Sequence, residues 1–237
     1  MLNLIRLEFR KYRLARMLVR SLIVTLVLTA LFAFFYFDHF LFENGIEGDG
    51  TTLFNTYTEA FSIIGTLVNI AYIVLGATLI SRLIISEFRN KTIYLMFTYP
   101  VSRRKIIAAK LIIVAAWIFI GSMVSGGLIG GLMLISEMYV KVIPEPLSAA
   151  IIIRGFSMLI AGSVCSAGIG MIPLYFGMRK HSATATILSA VIVACLLNQN
   201  THGFSLNQFI VIPLLTAIAG IIVVIITIRN INTVDIN

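Results

Sequence analysis

The residues best equipped to hold a metal or attack a substrate are three histidines, His39, His181 and His202, and two cysteines, Cys165 and Cys195. Their spacing suits neither task. No two of them fall close enough in sequence for metal ligands on one turn or loop, and no serine, histidine and acid assemble from neighbouring positions. A GxxxxGK[ST] loop, whose backbone amides would cradle nucleotide phosphates, does not occur. The chemistry the chain does offer is that of a non-covalent grip. It lies in "ISEFRNKTIYLMFTYPVSRRK", residues 85–105. Its centre, Thr92 to Tyr99, is apolar and aromatic, too short to cross a bilayer and flanked by charge, so it can dock on another protein or lie on the bilayer surface. Pro100 ends one helix and Ser102 suits the N-cap of the next, so the segment is expected to be a rigid bracket rather than a tether.

The elements that position this bracket belong in lipid. Hydrophobic residues make up 59% of the 237, charged residues only 12%, and the mean hydropathy is +1.01, whereas soluble domains carry roughly 25% charged residues. A bilayer core about 30 Å thick needs about 20 apolar residues per helix. Six runs free of Asp, Glu, Lys and Arg approach that length: 21–37, 60–81, 111–136, 155–178, 183–197 and 209–228. Lipid gives backbone groups no partners, so the runs must be helical, and a barrel would show alternating segments instead. The sequence therefore predicts an all-α membrane protein with six transmembrane helices, folded as a single domain over residues 1–237.

Sixteen of the eighteen Lys and Arg residues fall on the side of the N-terminus if each run crosses, leaving Lys141 and Arg154 on the other. By the positive-inside rule both termini are expected in the cytoplasm. Topology alone accounts for the net charge of +8, so no nucleic acid partner is expected. Residues 1–20 are too long a charged region for a signal peptide. Leu2, Ile5, Phe9 and Tyr12 recur at helical spacing beside Asn3, Arg6, Arg10 and Arg13, which predicts an amphipathic helix lying in the inner interface.

Within the runs, Asp, Glu, His and Lys are missing, and with them the groups that carry ions through pumps. The candidates for lining a substrate path are Asn69, Tyr72 and Trp117, each of which suits packing or the membrane interface better than it suits a ligand. Ser122, Gly126 and Gly130, like Gly162, Ser166 and Gly170, are spaced for close helix contact, within the chain in preference to a subunit interface. Residues 38–58 read as an irregular outer loop ending in a capping box, Thr56 to Glu59, and Pro173 and Pro213 as kinks.

Around residues 85–110 the chain resembles the ABC-2 type permeases, the membrane subunits of ATP-binding cassette transporters. The likeness rests on Glu87, Thr92, Pro100, Val101, Ser102, Arg103 and Lys110; Lys91 stands where the family has Gly. The resemblance implies that 82–110 is a cytoplasmic coupling loop docking on a separate ATPase through Glu87, Phe88, Arg89, Thr92, Tyr94, Leu95, Phe97 and Pro100. It implies an interfacial elbow at 1–20 and short re-entrant helices at 198–208. It also implies a bacterial plasma membrane protein that pairs with a like or identical permease, while ATP and Mg are bound by the partner subunit and no cofactor by this chain. A hydrophobic or amphipathic cargo, such as a peptide antibiotic, lantibiotic or peptide toxin, fits the uncharged spans. A non-transporting scaffold or sensor and a passive channel or scramblase are the alternatives.

Overall fold

A computed structural model describes residues 14–43, 56–86, 103–139, 143, 146–180, 182–197, 200–201, 204–205 and 211–230. Helix α1 spans Leu14–Glu43, α2 Tyr57–Ile80, α3 Arg103–Tyr139, α4 Ala149–Ile169, α5 Pro173–Lys180, α6 Ala183–Leu197 and α7 Val211–Asn230. Four stretches are long and apolar enough to cross a membrane: Met17–Tyr36, Tyr57–Ile85, Ile106–Tyr139 and Ala149–Arg179. The apolar helices Ala183–Leu197 and Leu214–Thr227 are shorter than that. Each of the six expected runs is thus helical over most of its described length, and four of them lie in stretches long enough to span.

At the centre α2, α3 and α4 pack on one another, with α6 against α2, α7 against α4, and α1 more loosely against α2 and α3. Helix α2 starts where the sequence places it. The Thr56 hydroxyl accepts from the Glu59 amide at 3.3 Å, and the Glu59 carboxylate accepts from the Thr56 amide at 3.2 Å. Each bond satisfies an amide that the first turn would otherwise leave orphaned. The two small-residue series serve contacts within the chain. Gly126 and Gly130 lie against Leu159, Gly130 also against Phe61, and Gly162 against Asn69. In lipid such close approach is the main source of helix association.

Three expectations are corrected. Helix α1 runs on to Glu43, so 38–43 are helical where an irregular loop was expected; no Gly or Pro interrupts "FYFDHFLFE". The run 155–178 is broken rather than kinked. Tight turns close it, Gly170 N to Ser166 O at 2.8 Å and Met171 N to Gly168 O at 3.0 Å, and Pro173, lacking an amide hydrogen, opens α5. In place of re-entrant helices, the described residues of 198–208 form an antiparallel pair, Asn200 opposite Ser205 and Thr201 opposite Phe204. β-branched Thr and aromatic Phe favour extended backbone there. Of the expected interfacial segment, residues 14–20 belong to α1, and 1–13 lie outside the described residues.

Candidate functional site at the two ends of α3

The buried face of α3 is one stripe: Lys110, Val114, Ile118, Ser122, Ser125, Ile129, Met133 and Glu137, each three or four residues from the last and each buried. Its two ends are charged. At about 1.5 Å per residue, Lys110 and Glu137 stand about 40 Å apart, close to the full thickness of a bilayer with its headgroups. Neither charge sits in the middle of the apolar core, where it would cost several kcal/mol.

Lys110 is only 2% exposed, and its Nζ donates to the carbonyl of Leu83 at 3.0 Å. Leu83 sits in an unusual turn. Residues Ser81–Ile85 continue α2 as a π-helix, in which the Ser86 amide reaches back five residues to Ser81 O. One residue has been added to the turn without breaking the helix, and such turns recur at functional positions. The ammonium of Lys110 therefore ties the start of α3 to the wound-up end of α2, across the base of the expected coupling loop. The loop residues themselves, Glu87, Phe88, Arg89, Thr92, Tyr94, Leu95, Phe97 and Pro100, lie outside the described residues.

At the opposite end the Glu137 carboxylate, 6% exposed, gathers donors from three places. Tyr36 of α1 donates to Oε1 through its hydroxyl, the amide of Ile143 donates to Oε1 at 3.1 Å, and Tyr57 of α2 donates to Oε2 at 3.4 Å. Neither Lys110 nor Glu137 was foreseen as a site residue. Lys110 stood out as a residue of the family likeness and Glu137 only as the charge that bounds the run 111–136; the signal for both was their phase, since each falls on the stripe that the apolar residues define.

Between these ends lie the three expected path residues. Tyr72, 1% exposed, shares its hydroxyl with Ser125 of α3 at 2.7 Å and with Thr25 of α1 at 3.1 Å, while Thr25 and Ser125 meet at 2.6 Å. Gly121 makes room for the ring, since a Cβ there would sit 2.2 Å from Tyr72 Cε1. Asn69 accepts from the Ser166 hydroxyl of α4 at 2.7 Å, and Trp117 packs, partly buried, against the core. Replacing Tyr72 with Phe removes one hydroxyl and leaves Thr25 and Ser125 bonded to each other. The expected cost is about 1 kcal/mol of helix association, against about 3–5 kcal/mol for Tyr72→Ala, which also opens a cavity. Unfolding in graded detergent mixtures measures both.

Apolar helices long enough to span, joined to one another by polar contacts, with Lys110 and Glu137 the buried charges among the described residues, describe a polytopic helical membrane protein. Residues 4–196 match the model of the ABC-2 family transporter proteins, and the chain belongs to that family. It is 36% identical over 234 residues, 99% of this chain and the whole of the relative, to the uncharacterized protein YcbO of Bacillus subtilis strain 168. No solved structure matches.

Proposed function

We propose that the chain is the permease subunit of an ABC exporter, with six spans and both termini in the cytoplasm of a bacterial cell. It pairs with a second permease and with separate ATPase subunits that bind ATP and Mg. ATP-driven closure of those subunits pushes on the loop 82–110, and the rearranged spans pass a hydrophobic or amphipathic cargo, a peptide or antibiotic, outward. Asn69, Tyr72 and Trp117 sit beside the path. The observation that carries this reading is the tie between Lys110 and Leu83, in a chain of the ABC-2 family. It closes the base of the loop, so force applied to the loop reaches α2 and α3 together instead of flexing a tether. Glu87 and Arg89 meet the ATPase by charge, and Phe88, Tyr94, Leu95 and Phe97 by apolar contact.

The tagged full chain, purified from its native membrane, is expected to bring an ATP-hydrolysing protein with it. Phe88→Ala combined with Tyr94→Ala is expected to cut the amount recovered at least tenfold without changing the stability of the spans. Full recovery with the double variant overturns the docking residues. A purified chain that moves cargo into vesicles with no ATPase present favours a passive channel or scramblase, and a bound partner whose ATP hydrolysis is irrelevant to the phenotype favours a scaffold.

A further inference from the structure

We infer that Glu137 is a latch, a positioning residue that clips α1 and α2 to the far end of α3 and has to release during each transport cycle. The inference rests on the permease reading above and adds to it the part that moves at the end remote from the ATPase. Three observations carry it.

First, the carboxylate is the meeting point of separate elements. Its partners are a phenol from α1, a phenol from α2 and the backbone amide of Ile143, which follows α3. An ionised carboxylate only accepts hydrogen bonds, and every one of these groups donates. One side chain thus joins all three elements, and its departure would open these three contacts at once.

Second, among the described residues the element it holds packs only loosely on the core. Among the described side chains of α1, Met17, Phe32 and Tyr36 are the buried apolar ones, while Leu18, Leu22, Ile23, Leu26, Val27 and Phe34 are exposed. Midway, α1 adds the Thr25 hydroxyl contact. An element with few buried contacts opens at the lowest free-energy cost. Beyond Thr25, α1 buries the Phe32–Tyr36 pair, stacked at 5.9 Å, and its outer member is the one that Glu137 holds.

Third, Glu137 shares the buried stripe of α3 with Lys110. Helix α3 is continuous from Arg103 to Tyr139, so a displacement at the loop end moves the latch end as part of the same rod. A carboxylate buried among donors has two defined arrangements, engaged or withdrawn into water. Intermediate positions strand buried polar groups and are costly.

Two measurements separate a latch from a permanent staple, both on the full chain in lipid nanodiscs with its copurified ATPase, with Cys165 and Cys195 replaced by Ala. In the first, Tyr36→Cys and Ile143→Cys are bridged by a bismaleimide containing a reducible disulfide. The bridge is expected to lower ATP turnover at least tenfold relative to the same sample after reduction. In the second, Ile143→Cys alone, with Glu137, Tyr36 and Tyr57 intact, is treated with a membrane-impermeant maleimide. Residue 143 is 4% exposed, so labelling is expected to be slow without nucleotide and at least tenfold faster during ATP turnover. Glu137→Gln in that background is expected to label fast without ATP. A bridged complex that turns over ATP at the reduced rate, or labelling indifferent to ATP, overturns the latch while leaving the permease reading intact. If no ATPase copurifies, both fall together.

Discussion

Methionine in place of Lys110 is expected to leave a folded chain that still binds its ATPase but exports at least tenfold less per ATP hydrolysed. The separation of the two effects follows from the environment. Methionine fills nearly the same volume, and exchanging a buried charge for a packed apolar side chain is often neutral for stability or even favourable. What is lost is the donor to Leu83 O. That carbonyl belongs to the π-turn, where the backbone already departs from the i, i+4 ladder and has a regular α-helix as its neighbouring state. Without the ammonium the ends of α2 and α3 are free to slide past each other, and a push on the loop is absorbed there. Lys110→Arg, which keeps a charge and a donor, is expected to recover most of the coupling. Equal loss in the Met and Arg variants, or loss of the ATPase together with activity, would mean that the residue serves folding or docking instead. Quantifying export against ATP hydrolysis in the same vesicles checks the prediction.

How far the sequence could be read depended on how local the governing physics is. Long apolar runs declare themselves because lipid imposes helix on each run separately, and the capping box at Thr56 and Glu59 needs only four neighbouring residues. Gly126, Gly130 and Gly162 were also legible, because spacing alone puts small residues on one face. The break at 170–172 was harder. Pro173 signals it, but whether proline kinks or ends a helix depends on whether the freed carbonyls find partners, which here are the turn amides of Gly170 to Ile172. Hardest of all were Lys110 and Glu137. A charge at the edge of an apolar run reads as the place where the helix meets water. Only the partner surfaces, the Leu83 carbonyl in one case and two tyrosines with the Ile143 amide in the other, reveal that the helix carries these charges inward. Those partners lie far away in sequence, and no pattern within α3 names them.

The second large effect is steric and needs no partner protein. Helices α4 and α7 cross at Gly168 and Gly220, and a Cβ on Gly220 would stand 1.9 Å from the carbonyl oxygen of Gly168 and 2.7 Å from its carbonyl carbon. These are backbone atoms, so no rotamer change relieves the contact, and ordinary packing at roughly 3.5–4.0 Å demands that the helices separate. Gly220→Ala is therefore expected to cost more than the usual 1–3 kcal/mol or so of an overpacked core. Gly168→Ala meets the same crossing from the other side, its Cβ 2.7 Å from Ala217 Cβ and 2.8 Å from Ala217 Cα. Once one alanine has pushed the helices apart, the second finds the space already made. The double variant should then lose clearly less than the sum of the single losses, as coupled sites do. Strict additivity in a double-mutant cycle of detergent unfolding would place the two glycines in separate contacts. A Gly220→Ala chain as stable as the parent would mean that the helices do not cross there at all.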